Sequence, residues 1–142
     1  MALPPKLERT VQLFSGAPKD LKLQALLEYS RKVPDLPARY AEDRSALEPV
    51  PECQTPFFLA ADVEDDVVHI VFDCPPEAPT TRGFAGILAE GLDGASPQEV
   101  LDVPDDFYVA MGLDEAISSQ RLRGMTAIMA RLKRQVRQKV AA

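Results

Sequence analysis

Two cysteines, Cys53 and Cys74, and a single histidine, His69, are the thiol and imidazole groups available for covalent chemistry or metal binding in this 142-residue chain. Cys53 stands in Val50-Pro51-Glu52-Cys53-Gln54-Thr55-Pro56, just ahead of the apolar run Phe57-Phe58-Leu59. A structural cysteine usually behaves as a small hydrophobe inside a packed element. This one lies in a connection whose backbone is restricted by a proline on either side. Reactive groups are commonly carried on loops held by a rigid scaffold, which makes Cys53 the leading nucleophile candidate. Its neighbour Glu52 works against it, because an adjacent negative charge disfavours a thiolate.

Cys74 follows a β-rich segment and precedes Pro75-Pro76. If the intervening strands form a hairpin centred near Asp65, both cysteines reach its open end, which allows a resolving thiol or a disulfide without requiring either. His69 falls in mid-strand, away from that end, so a Cys53–His69 hydrolase dyad is disfavoured. Two cysteines with no CxxC pair and one histidine also make a poor self-contained zinc or iron–sulfur site. Arg121 and Arg123 fall in the first turn of a predicted helix, where the macrodipole disfavours cations, so each is either a plain surface residue or has another task.

The elements that must hold these residues can be read from periodicity. Leu7, Val11 and Phe14 predict a short helix from Pro4 to Phe14. A second begins at Pro18, with Leu23, Leu26, Leu27 and Val33 as its apolar face, and ends before Pro34. Residues 34–52 have no clean period and read as an extended crossing connection. Phe57 to Val63 and Val67 to Phe72 read as a hairpin joined by Glu64-Asp65-Asp66, with a third strand around Leu47 to Pro51 to support it. Thr80 or Thr81 opens a helix that runs to Gly91, Ser96-Pro97-Gln98-Glu99 is a capping signature, and Pro104 to Gly112 is a short helical piece. A long last helix from Ser118 or Ser119 carries the stripe Leu122, Met125, Met129, Leu132 and Val136. The order predicts an α+β fold, a small antiparallel sheet of about three strands with helices packed on one face, as a single domain over residues 1–142.

Composition is that of a globular chain, with 46% hydrophobic and 27% charged residues and a net charge of −6. The charge is unevenly spread: residues 1–117 carry nine basic and 22 acidic side chains, whereas residues 118–142 carry seven basic and none acidic. The overall acidity and the regular apolar stripe within the basic segment favour a packed helix with a solvated face over a nucleic-acid arm. No basic-flanked apolar leader and no run of about 18 apolar residues is present, which reads as a cytoplasmic chain without a membrane span.

Taken together, Cys53-Gln54-Thr55 before a strand, Glu77-Ala78-Pro79 ahead of Arg82-Gly83, and Arg121-Leu122-Arg123-Gly124-Met125 opening the last helix resemble the SufE family. The resemblance runs over essentially the whole chain. Glu52 stands where that family has glycine, and Phe57-Phe58 where valine and tryptophan are common. The resemblance implies a SufE/IscU-like fold and a sulfur carrier, without metal or organic cofactor of its own. In that reading Cys53 takes persulfide sulfur from a SufS-like cysteine desulfurase, stimulates it, and passes the sulfur to a SufB-like cluster scaffold. It further implies that Arg121 and Gln54 assist Cys53, that Thr55, Glu77, Arg82 and Gly83 face partners, and that Phe57, Phe58 or Met125 line a water-poor pocket around the persulfide. An iron–sulfur scaffold of the related fold and a protein-binding module without thiol chemistry are the alternatives, and monomer and homodimer remain equally open.

Overall fold

The computed structural model describes residues 3–141. Helices α1 (Pro5–Ser15) and α2 (Lys19–Ser30) are followed by a short α3 (Ala38–Glu42), strands β1 (Glu48–Pro49), β2 (Phe58–Glu64) and β3 (Val67–Asp73), and helices α4 (Pro79–Leu92), α5 (Pro97–Leu101) and α6 (Ser119–Ala141). The sheet is antiparallel in the order β1-β2-β3. The fold is α+β, as the element order predicts. Among the described residues no helix is long and apolar enough to cross a membrane.

The hairpin is fixed by its turn and its alternation. Asp65 and Asp66 both have positive φ, 53° and 62°, the pair of left-handed residues that a two-residue turn needs to match the strand twist. Strand pairing then runs from Glu64 opposite Val67 to Phe58 opposite Asp73. This register places Leu59, Ala61, Val68, Ile70 and Phe72 on one buried face. His69 is exposed and falls outside that set. Amides beyond the strand pairing are capped: Gln135 of α6 accepts the Ala61 amide at 2.8 Å, and Asp93 accepts that of Ile70 at 2.8 Å. Capping of this kind occupies backbone donors that another chain could otherwise pair with.

Helices α4 and α6 pack against the sheet, and α1 and α2 cover α4. The α2–α4 approach needs glycine. A Cβ on Gly86 would lie 1.9 Å from the Tyr29 carbonyl oxygen, and one on Gly83 2.4 Å from that of Leu26. On α6, Met125, Ile128, Met129, Leu132 and Val136 are fully buried. At about 1.5–3 kcal/mol for each large apolar side chain removed from water, this seam outweighs the ion pairs beside it, which contribute about 0–1 kcal/mol each.

Two expectations change. Residues 34–52 are not merely a crossing strap: α3 and the turn Arg44–Ala46 bring Tyr40 and Leu47 against Ala60, with Phe58 and Val71 beside them, as a small second cluster separate from the main core. The face of α2 is also different. It buries Lys22, Leu26 and Tyr29 and leaves Leu23 and Leu27 about 40% exposed, because the two α4 glycines, not the leucine count, decide which side of α2 comes closest.

Gly86→Ala is expected to cost about 3 kcal/mol, the upper part of the usual range for an overpacked core, since the added methyl meets backbone that cannot rotate away. Urea denaturation checks this; a loss under about 1 kcal/mol would mean that α2 and α4 part easily.

Candidate functional site

Cys53 ends a single 3-10 turn, Pro51–Cys53, that opens from Val50. The turn is closed by the Cys53 amide donating to the Val50 carbonyl and the Gln54 amide to that of Pro51, both at 3.1 Å. Below it the Val50 amide donates to the Phe57 carbonyl at 2.8 Å, so the loop's two ends are pinned where the sheet begins. Proline at the first position of the turn has the φ it needs and no amide to lose. The exit is strained. Gln54 adopts φ 61°, ψ −3°, a left-handed conformation costing a non-glycine residue roughly 1–2 kcal/mol.

The loop lies on α6. Cys53 is 8% exposed, and its thiol points at the Gly124 carbonyl oxygen, 3.9 Å away. A Cβ on Gly124 would fall 3.3 Å from both Cα and Sγ of Cys53 and 3.6 Å from the Glu52 carbonyl oxygen. Glycine at this position lets the loop seat against bare helix backbone. Phe57 and Met125 belong to the same buried cluster as Cys53, whereas Phe58 belongs to the back-face cluster and lines no pocket around the thiol.

Burial pushes the Cys53 thiol up to about 12, with the Glu52 and Cys74 charges adding to the effect and Arg131 opposing it. Cys74 is buried too and is likewise raised by burial, against the opposing charge and hydrogen bond of Arg82. Both cysteines are free thiols. Seated in this way Cys53 is a protonated, shielded group, because the thiolate is the nucleophile and this site disfavours it.

The sequence-predicted residues divide into two sets. Cys53, Gln54, Thr55 and Arg121 come together, with Ser118 and Gln120, around a recess of about 210 Å³. Ser118 caps α6 by accepting the Arg121 amide at 3.4 Å, which is how the first turn of α6 is brought to the loop. Thr55 Oγ1 is buried there without a hydrogen-bond partner. Glu77 is exposed in the connection after Cys74. Arg82 is occupied within the fold: its Nε donates to the Ser30 carbonyl at 2.9 Å, and Nη1 donates to the Cys74 carbonyl and lies 3.9 Å from the Cys74 sulfur. Gly83 is enclosed beneath α2. His69 is exposed on β3, remote in environment from the buried thiols. Among the described residues no group of three or more His, Cys, Asp or Glu side chains is arranged to hold a metal ion.

The residue that sequence reasoning missed is Arg131. Its Nη2 donates to both Glu52 oxygens at 2.6 and 2.8 Å, and its Nη1 to Glu48 at 3.2 Å. Glu48 is also held by Arg134 and by Gln135. Burial acts to raise the Glu48 carboxyl, but the bonds from Gln135, Arg134 and Arg131 prevail and hold it below the usual range; the Arg131 hydrogen bond holds Glu52 down as well. The available signal was the matched spacing, two glutamates four apart facing two arginines three apart.

The SufE family signature, described as the Fe-S metabolism associated domain, matches residues 8–136. The chain belongs to the SufE family. It is 49% identical over 138 residues to an uncharacterized SufE-like protein of Mycobacterium tuberculosis, covering 96% of this chain and 95% of that one. It is 31% identical over 137 residues to the cysteine desulfuration protein SufE of Plasmodium vivax, covering 92% of this chain and 52% of the relative. The solution structure of a hypothetical protein from Thermus thermophilus superposes with a TM-score of 0.88 at 48% identity, covering 99% of each chain. These likenesses extend over the whole described domain.

A thiol whose pKa is raised on folding adds stability that is fully present below its unfolded value, near 9, and is lost as pH climbs toward 12. Native protein should therefore lose more stability than Cys53→Ala between pH 9 and pH 12. Parallel urea curves at several pH values measure the difference; identical slopes would contradict burial of the thiol.

Proposed function

We propose that Cys53 is the sulfur acceptor of a cysteine desulfurase, and that the chain works as a carrier that is itself the substrate. The observation that carries this reading is the seating of a lone loop thiol against Gly124, on a SufE-family chain, with its ionisation suppressed. Such a thiol is inert toward small molecules until the loop leaves its seat. On leaving, it regains the ordinary pKa of an exposed thiol and a useful thiolate fraction.

The transfer is a thiol–persulfide exchange. The Cys53 thiolate attacks the terminal sulfur of the donor's Cys–S–SH group; the donor's S–S bond breaks as the new one forms, and the donor thiolate departs and is reprotonated. Nothing is oxidised or reduced overall, so no cofactor of the carrier's own is called for. The donor's chemistry is that of a pyridoxal-phosphate-dependent, SufS-like enzyme, which turns over faster once its persulfide is cleared. Delivery to a SufB-like cluster scaffold repeats the exchange with Cys53 as donor. Arg121, Gln54 and Thr55 line the recess through which the partner's sulfur arrives, and Glu77 is available at the surface for the partner's own contacts. Cytoplasmic reducing conditions suit this role, since they keep Cys53 and Cys74 unpaired.

Incubation with an active desulfurase and cysteine, followed by intact-mass analysis, should show one added sulfur on native protein and on Cys74→Ser, and none on Cys53→Ser. Absence of the gain on native protein, with the desulfurase shown to be turning over, would defeat the reading.

A further inference from the structure

We infer that the Glu52–Arg131 pair is a latch that holds the Cys53 loop closed on α6. Glu52 is the residue immediately before the thiol, and its carboxylate receives both hydrogen bonds from one guanidinium nitrogen of Arg131, at 2.6 and 2.8 Å. Charge-assisted bonds of this length are the stronger kind. The Cys53 thiol itself supplies only a 3.9 Å contact to Gly124, and the chain around it resists closure: Gln54 is held at φ 61°, and Thr55 Oγ1 is buried with no partner. Both of these costs are relieved when the loop lifts. The loop is thus held by the ion pair together with the packing of Cys53 on Gly124, against the local costs at Gln54 and Thr55.

The geometry also makes the latch cheap to release. Arg131 bridges a moving and a fixed anchor. When Glu52 departs, Arg131 keeps Glu48, which sits on β1 and is further held by Arg134 and Gln135, so no guanidinium is stranded. The Glu52 side chain is already 44% exposed and returns to water with little desolvation to reverse. An ion pair so exposed is weakened by salt. The bond requires a carboxylate at position 52, which Glu52 supplies.

The test is amide hydrogen–deuterium exchange of the peptide spanning residues 51–57, in native protein and in Glu52→Gln, at low and at 0.5 M salt. Exchange reports on opening whatever the ionisation of the thiol, which removal of the Glu52 charge would also alter. In Glu52→Gln the segment should exchange roughly 2- to 5-fold faster, in the range that loss of one well-formed exposed ion pair allows, while peptides from β2 and β3 keep the native rate. Salt should accelerate the native segment toward the variant's rate and leave the variant unchanged. Alkylation of Cys53 by iodoacetamide, a neutral reagent, in a Cys74→Ser background should follow the same order. Equal exchange of 51–57 in both proteins, or equal salt sensitivity, would overturn the latch; neither result bears on sulfur acceptance, which the mass experiment reads separately.

Discussion

A loop can lie directly on a helix only where a side chain is missing, and Gly124 is the place on α6 where this happens. The 3.3 Å that a Cβ would leave to Cys53 Cα and Sγ makes this contact the one on which the other features of the site depend. It takes the thiol out of water and so suppresses its ionisation. It brings Glu52 within reach of Arg131, further along the same helix. It also sets the first turn of α6, with Arg121, beside Gln54 and Thr55. An ordinary side chain at position 124 would move the loop by a few tenths of an ångström and loosen all three relations together.

The uneven charge of the chain is explained by the same helix. Four of the seven cations in residues 118–142, Arg131, Lys133, Arg134 and Lys139, are answered within the fold by Glu48, Glu52, Asp105 and Asp62. The acidic body and the basic helix are complementary surfaces of one domain face. Apolar burial holds α6 in place, and its observed rotation and register engage Glu48, Asp62 and the Ala61 amide together. Arg121 and Arg123 make no ion pair among the described residues, and they flank the recess and its neighbouring groove along Leu122 and Thr126.

The hairpin was legible because its signal is local: a period of two and a pair of aspartates in the turn fix the register, and with it the position of both cysteines at the open end. The α6 stripe was legible for a similar reason: Met125, Met129, Leu132 and Val136 are buried as their spacing indicates, while Leu122, in the first turn beside the site, is only half-buried. What failed was non-local. Leu23 and Leu27 look like core residues in sequence, yet the α2–α4 crossing is set by Gly83 and Gly86, more than fifty residues away. Glu52 read as a neighbour that merely opposes a thiolate; its main interaction is with a residue 79 positions on, which no window along the chain can reveal. Arg82, half-buried, and Gly83, buried, are also engaged within the fold by Ser30, Cys74 and α2, contacts that a motif does not display.

The central claim is that the fold stores Cys53 as a shielded group and releases it on opening. The most direct measurement is the rate at which a preformed Cys53 persulfide is reduced by a small thiol such as dithiothreitol, in native protein and in protein unfolded by urea at the same pH. The account predicts that the folded persulfide survives at least about tenfold longer, as burial on this scale withholds it from solvent. Equal lifetimes in the two states would contradict it.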